Sequence, residues 1–265
     1  MDLNNSAWEN PPRGYRGVVV DGKRLETLLL SPAANAPTIV MLHEGLGSIA
    51  MWKDFPAQLA QATRCRVLVY SRYGHGKSQC LAEKRSVDFM HHEAQVVLPE
   101  LLRQFQIHQP ILLGHSDGAS IALICAGTHP QHVRALILES PHVFVEDSGL
   151  QSIARIRTLF ESTDLPKKLA RYHHHVEEVF RGWNNIWLDP DFRKWNIEDY
   201  LTPITCPVLV LQGEDDEYGT LAQVQAIQRC IPSTQALILP NCGHSPHREH
   251  PNLTLEAMAT FISMQ

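Results

Sequence analysis

The chain has 265 residues, an ordinary apolar fraction of 44 % and a net charge of −5. Such a length suits one large domain with an insertion. The mildly acidic balance, without a basic stripe, excludes nucleic-acid and membrane-surface binding from the expected roles, and no apolar run reaches the length of a membrane helix. From Met1 to Gly17 the chain is polar, contains Pro11-Pro12 and lacks the apolar stretch of a secretory signal, so a cytoplasmic location is expected. The six cysteines are scattered without a Cys-x-x-Cys pair and are expected to be reduced, several of them as core fillers.

In chain order, Gly17–Val20 and Arg24–Leu30 read as an antiparallel pair of strands joined by Asp21-Gly22. Thr38–Leu42 is an apolar strand that runs into His43-Glu44-Gly45-Leu46-Gly47-Ser48. Cys65–Tyr70 is the next strand. Ser86–Gln106 is a helix with Val87, Met90, Ala94, Val97, Leu98, Leu101, Leu102 and Phe105 near one face, and Pro99 inside it is a site for a kink. Ile111–Leu113, Val133–Leu138, Val208–Leu211 and Ala236–Leu239 are further strands, and Leu221–Cys230 and Asn252–Ile262 are late helices. Strands alternating with helices predict an α/β fold with a mostly parallel sheet of about eight strands flanked by helices. The stretch 146–202 breaks the rhythm: it has no convincing buried strand, two segments of helical pattern, and Trp183, Trp187, Phe192 and Trp195. It is expected to be a helical insertion, with 1–145 and 203–265 as the core domain.

Gly114-His115-Ser116-Asp117-Gly118 stands between the strand Ile111–Leu113 and the helical stretch Ala119–Ala126. A serine on a strained strand-to-helix turn leaves no room for side chains two positions on either side, which is where the glycines are. The turn presents the serine oxygen at a helix N-terminus, where N–H groups and the helix dipole favour a developing negative charge. Ser116 is therefore a candidate nucleophile, in need of a base, an orienting acid and an oxyanion hole. An acid can come from Glu214-Asp215-Asp216-Glu217 after the strand Val208–Leu211, and a histidine from Gly243-His244 after Ala236–Leu239. The four consecutive acids leave the choice among them open. The loop His43–Ser48 can supply one oxyanion N–H, and Asp117, next to the serine, the other.

These features together resemble the α/β-hydrolase superfamily over nearly the whole chain. The motifs are the His43–Ser48 loop, the loop Ser71-Arg72-Tyr73-Gly74-His75-Gly76-Lys77-Ser78, the serine turn, Gly213 to Asp216, and Gly243-His244. The resemblance implies Ser116 as nucleophile, Asp216 as the acid three residues after the strand-end glycine, and His244 as the base. It also implies Gly45 and Asp117 as the oxyanion donors and 146–202 as a cap over the site. Two positions depart from the pattern: Ser71 stands where an aspartate is usual, and Glu44 where a glycine is usual. Glu44 either touches substrate or turns into a structural contact; with the cap residues Trp183 and Trp187 it is a candidate substrate-binding residue. Two acids near the site, Glu44 and Asp117, would oppose an anionic substrate unless a cation such as Arg72 pairs with them.

The implied activity is hydrolysis of a small or medium carboxylic ester or thioester, with no metal or organic cofactor. C–C bond hydrolysis, lactone opening, acyl transfer and a non-catalytic ligand-binding role remain open alternatives. The expected partner is a small-molecule acyl substrate, and the expected state a monomer or homodimer. The histidine clusters are not expected to bind metal. His173-His174-His175 point in different directions, His91-His92-Glu93 lacks a second histidine at helical spacing, and of His244, His247 and His250 only the first is used. His43 and His115 are expected to be hydrogen-bonding partners.

Overall fold

The computed structural model describes residues 13–31 and 36–265. Its eight strands are β1 (Tyr15–Val20), β2 (Lys23–Leu30), β3 (Thr38–Leu42), β4 (Arg66–Ser71), β5 (Ile111–His115), β6 (Ala135–Glu139), β7 (Val208–Gly213) and β8 (Gln235–Leu239). They form a single sheet in the order β1-β2-β4-β3-β5-β6-β7-β8. β1 and β2 are antiparallel, as is β2 against β4. From β4 to β8 all pairs are parallel. The opening hairpin turns at Asp21 (φ 50°) and Gly22 (φ 70°), the pair of positive φ values that a tight two-residue turn requires.

Central parallel strands have both faces covered, so they read as unbroken apolar runs. The period of two divides them. Val40, Leu42, Leu112, Leu136, Leu138 and Val210 join one core cluster, while Ile39, Met41, Ile111, Leu113, Ile137 and Leu209 join the other. Helices α1 (Phe55–Thr63) and α10 (Pro251–Ser263) cover the second face. On the first lie α2 (Phe89–His92) and α3 (Leu98–Gln104), with α4 (Asp117–Thr128). α4 is buried on every side from Asp117 to Ala126, which is why its sequence is small and apolar without a polar face.

The expected helix Ser86–Gln106 is not one uniform helix. A π turn, Glu93–Val97, separates α2 from α3. Pro99 is the physical reason: it has no N–H for the Gln95 carbonyl and its ring crowds that carbonyl, so the ladder widens one turn earlier.

Between β6 and β7 the chain forms α5 (Asp147–Ser162), α6 (Leu165–Leu169) and α7 (Val176–Trp187). The α5 and α7 faces meet through the Phe160 and Phe180 rings, stacked at 3.7 Å. Buried Asn184 clamps them further: its amide donates to the Ile153 carbonyl at 2.9 Å and its oxygen accepts from Arg157 Nε at 2.6 Å. The remaining helices are α8 (Leu221–Cys230) and α9 (Pro246–Glu249). No described helix is long and apolar enough to cross a membrane. The segment read for a secretory signal lies for the most part outside the described residues.

Candidate active site

Ser116 follows the last residue of β5 with φ 54° and ψ −117°, a conformation that non-glycine residues rarely adopt and that surrounding structure must impose. The flanking glycines show how. A Cβ on Gly114 would strike the Gly118 carbonyl, and one on Gly118 would strike the Leu42 carbonyl of β3. Every clash is with backbone, so no side-chain adjustment relieves it. The Ser116 N–H donates to Glu139 O at 2.9 Å, and Ser116 O accepts from the Ala119 and Ser120 N–H groups.

His244 lies in the turn between β8 and α9. Its Nδ1 is 2.8 Å from Asp216 Oδ1 and 2.9 Å from Oδ2. Asp216 is held in turn by the Tyr218 N–H at 2.8 Å, the Gly219 N–H at 3.2 Å and Gln212 Nε2 at 2.8 Å. Asp215 is exposed, and its N–H donates to Cys242 O at 2.9 Å. Among the four acids, the one that meets His244 is therefore Asp216. Burial alone would raise the Asp216 pKa and lower that of His244. The charge and hydrogen bond each gives the other outweigh burial, so Asp216 stays well below the ordinary carboxylate range and His244 rises above 6.5.

Ser116, Asp117 and His244 line one cavity, together with Glu44, Gly45 and residues of α5 and α7. Among the described residues Ser116 Oγ makes no hydrogen bond to His244. Neither the Gly45 nor the Asp117 N–H is taken up by a hydrogen bond among the described residues. Asp117 opens α4, so its N–H is one of the orphan donors of a helix start.

The loop carrying Gly45 is braced by a buried cation. Arg72 donates through its guanidinium to His43 O and, at 3.0 Å, to Glu44 O, while its N–H donates to His43 Nε2 at 3.0 Å. Its guanidinium also stands 3.8 Å from Asp117 Oδ2. Arg72 thus supplies a counter-charge to one of the two acids near the site, Asp117, and meets Glu44 only at its carbonyl. Burial raises the Asp117 pKa, while Arg72 and Arg85 oppose that rise. His43 donates from Nδ1 to Glu44 O at 2.7 Å, which makes it a hydrogen-bonding partner. His115 is one too: its Nε2 donates to the His244 carbonyl at 2.7 Å, and burial pushes its pKa down to about 4. At Ser71 the missing carboxylate arrives from another strand. Glu26 of β2 accepts from Ser71 Oγ at 2.9 Å and from the Lys77 N–H at 3.0 Å.

Both tryptophans of α7 reach the cavity. Trp187 donates from Nε1 to Asp117 Oδ1 at 3.1 Å. Trp183 packs so closely on Gly45 that a Cβ there would meet the indole. Trp195 instead packs against Trp187 and Phe192. Glu44 also lines the cavity, with its side chain 19 % exposed and Oε2 3.8 Å from His115 Nδ1. Burial works to raise its pKa, but His115, its own backbone N–H, His247 and Arg248 together bring it below the usual value.

Three polar residues of the cavity escaped the sequence reading. His142 lies against His244 with ring centres 5.6 Å apart and the rings tilted by 34°, and burial pushes its pKa down to about 4. Tyr218 also packs against His244, with ring centres 4.8 Å apart. Glu146 accepts from the Thr220 N–H and hydroxyl and from Gln223, tying the start of α5 to that of α8. The only signal available was position, just after β6 or β7.

The histidine clusters fall out differently from their order in the sequence. His173 is buried and bonds Gly76 N and Leu46 O, apart from its two neighbours. His244, His247 and His250 do not converge: His250 reaches Asn241 O, and His247 turns to Glu139. Metal-capable donors do group elsewhere, at His115, Glu139 and His247 and at Cys80, His175 and Glu178.

A serine on a forced turn, a histidine held by a buried carboxylate and a pocket at the carboxyl ends of parallel strands define a hydrolase of the α/β class. The chain belongs to the alpha/beta hydrolase family, whose profile matches residues 39–257. It is 25 % identical to mouse serine hydrolase BPHL, with 87 % of this chain and 80 % of that protein aligned. It is 26 % identical to mouse sn-1-specific diacylglycerol lipase ABHD11, over 89 % of this chain and 84 % of the lipase. Among solved structures, the enol-lactonase from Burkholderia xenovorans LB400 superposes with a TM-score of 0.73 at 19 % identity, covering 93 % of this chain and 99 % of that one. Such relatives are hydrolases, and this chain is a hydrolytic enzyme.

Proposed function

We propose that the chain is a serine hydrolase that cleaves a small or medium carboxylic ester or thioester through an acyl-enzyme on Ser116. The observation that carries this reading is the arrangement at one cavity wall. Ser116 is forced outward on its turn, and the Asp216–His244 pair lies beside it. In this mechanism Asp216 keeps the proton of His244 on Nδ1, which leaves the Nε2 lone pair to take the Ser116 proton as Oγ attacks the carbonyl carbon. The oxyanion that forms is held by the free Gly45 and Asp117 N–H groups. His244 returns its proton to the leaving group, then activates a water that releases the acid. The segment from α5 to α7 acts as the cap. Its Leu150, Ile153, Trp183 and Trp187 supply apolar surface for an acyl group, and the anionic Glu44 disfavours a negatively charged one.

A fluorophosphonate probe tests the reading. It is expected to label Ser116, with a rate that depends on neutral His244. Because the His244 pKa lies above 6.5, labelling should be slow in acid and rise with pH through a value above 6.5. Absence of adduct on Ser116 at alkaline pH would leave the chain a binding protein of this fold.

The cap makes a separate prediction on a panel of p-nitrophenyl esters, thioesters and lactones. Trp183→Ala enlarges the pocket over Gly45 and should change kcat/KM unequally along an acyl-chain series, by about tenfold per well-placed methylene. Trp187→Phe loses the bond to Asp117 and should lower turnover evenly across the series. Equal effects of both variants on every acyl length would separate α7 from substrate selection.

A further inference from the structure

Behind the cavity wall, three buried side chains from three elements converge. His115 ends β5, Glu139 ends β6 and His247 lies in α9. One ligand atom from each lies within 4.8 Å of the others. Among the described residues, two of the polar atoms in this group have no hydrogen-bond partner: His115 Nδ1 and Glu139 Oε1, on residues 1 % and 0 % exposed. The first is a lone pair. His115 Nε2 faces the His244 carbonyl, which can only accept, so the proton is on Nε2 and Nδ1 is bare. The second is one oxygen of a carboxylate whose other oxygen is 2.6 Å from His247 Nδ1. Two buried acceptors without a donor are costly, and neither can satisfy the other. A donor group or a cation between them would relieve both.

We propose that His115, Glu139 and His247 form a binding site for a divalent transition-metal ion of the zinc type. Two imidazole nitrogens and a carboxylate oxygen are a donor set that Zn²⁺ favours. Glu44 stands next to the site on its pocket side, with Oε2 3.8 Å from the same His115 Nδ1, and its partly exposed side chain marks the way in from the cavity. A divalent ion here would bring its charge beside two carboxylates, Glu139 and Glu44. Binding requires the His247 ring proton on Nε2, since Nδ1 must be free to ligate. The His115 Nε2–H bond to the His244 carbonyl is then the outer contact that fixes the ring. The ion would be a clasp holding β5, β6 and α9 together under the loop of His244. It takes no part in the reaction proposed at Ser116, on which this inference does not depend.

Cobalt is the probe. Full-length protein is refolded with Co²⁺, freed of loose metal by gel filtration, and its metal content and visible spectrum are measured. One Co²⁺ per chain with tetrahedral bands and no thiolate charge-transfer band is expected, together with a raised melting temperature. His247→Gln keeps a donor for Glu139 but removes a ligand, and should weaken Co²⁺ binding by at least about tenfold. Cys80→Ser removes a donor of the surface group at Cys80, His175 and Glu178 and should leave binding unchanged. Less than stoichiometric Co²⁺ in the wild type would overturn the proposal. Binding that survives His247→Gln but fails in Cys80→Ser would overturn it as well, by moving the metal to the surface group.

Discussion

Ser116→Ala is expected to lower turnover of the best ester substrate by roughly a thousandfold or more, with the fold unchanged. The fold should survive because the strain at φ 54° belongs to the turn and not to the hydroxyl. Alanine meets the same backbone constraint as serine, and the clashes that shape the turn are at Gly114 and Gly118. The rate should fall because no other group in the cavity replaces the nucleophile. His142 and Tyr218 flank His244, but burial holds the first neutral and raises the second to about 12. The residual activity would measure what the oxyanion donors and binding contribute alone. Circular dichroism confirms folding, and steady-state kinetics on purified protein reads the loss. Turnover near that of the wild type would place the nucleophile elsewhere.

Asp216→Asn is expected to cost about four orders of magnitude in kcat, while Asp215→Asn costs little. The argument is one of donors and acceptors. Asp216 accepts from the Tyr218 and Gly219 N–H groups on Oδ1 and from Gln212 on Oδ2. An asparagine must give its single oxygen to the two backbone donors, which cannot turn. Its amide nitrogen then faces His244 Nδ1 as a donor and drives the ring proton to Nε2. In that tautomer the nitrogen facing Ser116 has no lone pair to offer. Gln212 is left opposite another donor, so some loss of stability should accompany the loss of rate. Asp215 is exposed, engages the fold by its backbone, and has no such role. The reverse ranking in measured kcat would transfer the acid to Asp215.

Much of the architecture was legible in advance because it rests on local periodicity and on turn chemistry. The runs Thr38–Leu42 and Leu221–Cys230 match their observed elements end to end. The strand β5, the glycines around Ser116 and the Asp21-Gly22 turn also carried their reasons in neighbouring residues. Where two local signals competed, the reading was coarser. An apolar stripe argued for one helix from Ser86 to Gln106, and Pro99 altered the ladder a turn upstream of itself.

The candidate site divides in the same way. Ser116 and His244 stand in sequence patterns shaped by their own backbone, so the chain alone pointed to them. Asp216 needed family spacing to be separated from Asp215, and in space a single hydrogen bond to His244 decides between them. The specific contacts around the site were not legible, even for Arg72 and Trp187, which the sequence did single out, because sequence order says nothing about which side chains meet across strands. Glu26 replaces the carboxylate absent at Ser71 from 45 residues away. Arg72 braces the Gly45 loop, and Trp187 bonds Asp117 across 70 positions. His247 was grouped with His244 and His250 by spacing, yet it turns into the core to meet Glu139, 108 positions earlier. Local sequence determined the strands, the turn and the serine it exposes; parallel crossovers, which bring distant strand ends to one edge of the sheet, decided which acids, cations and histidines surround it.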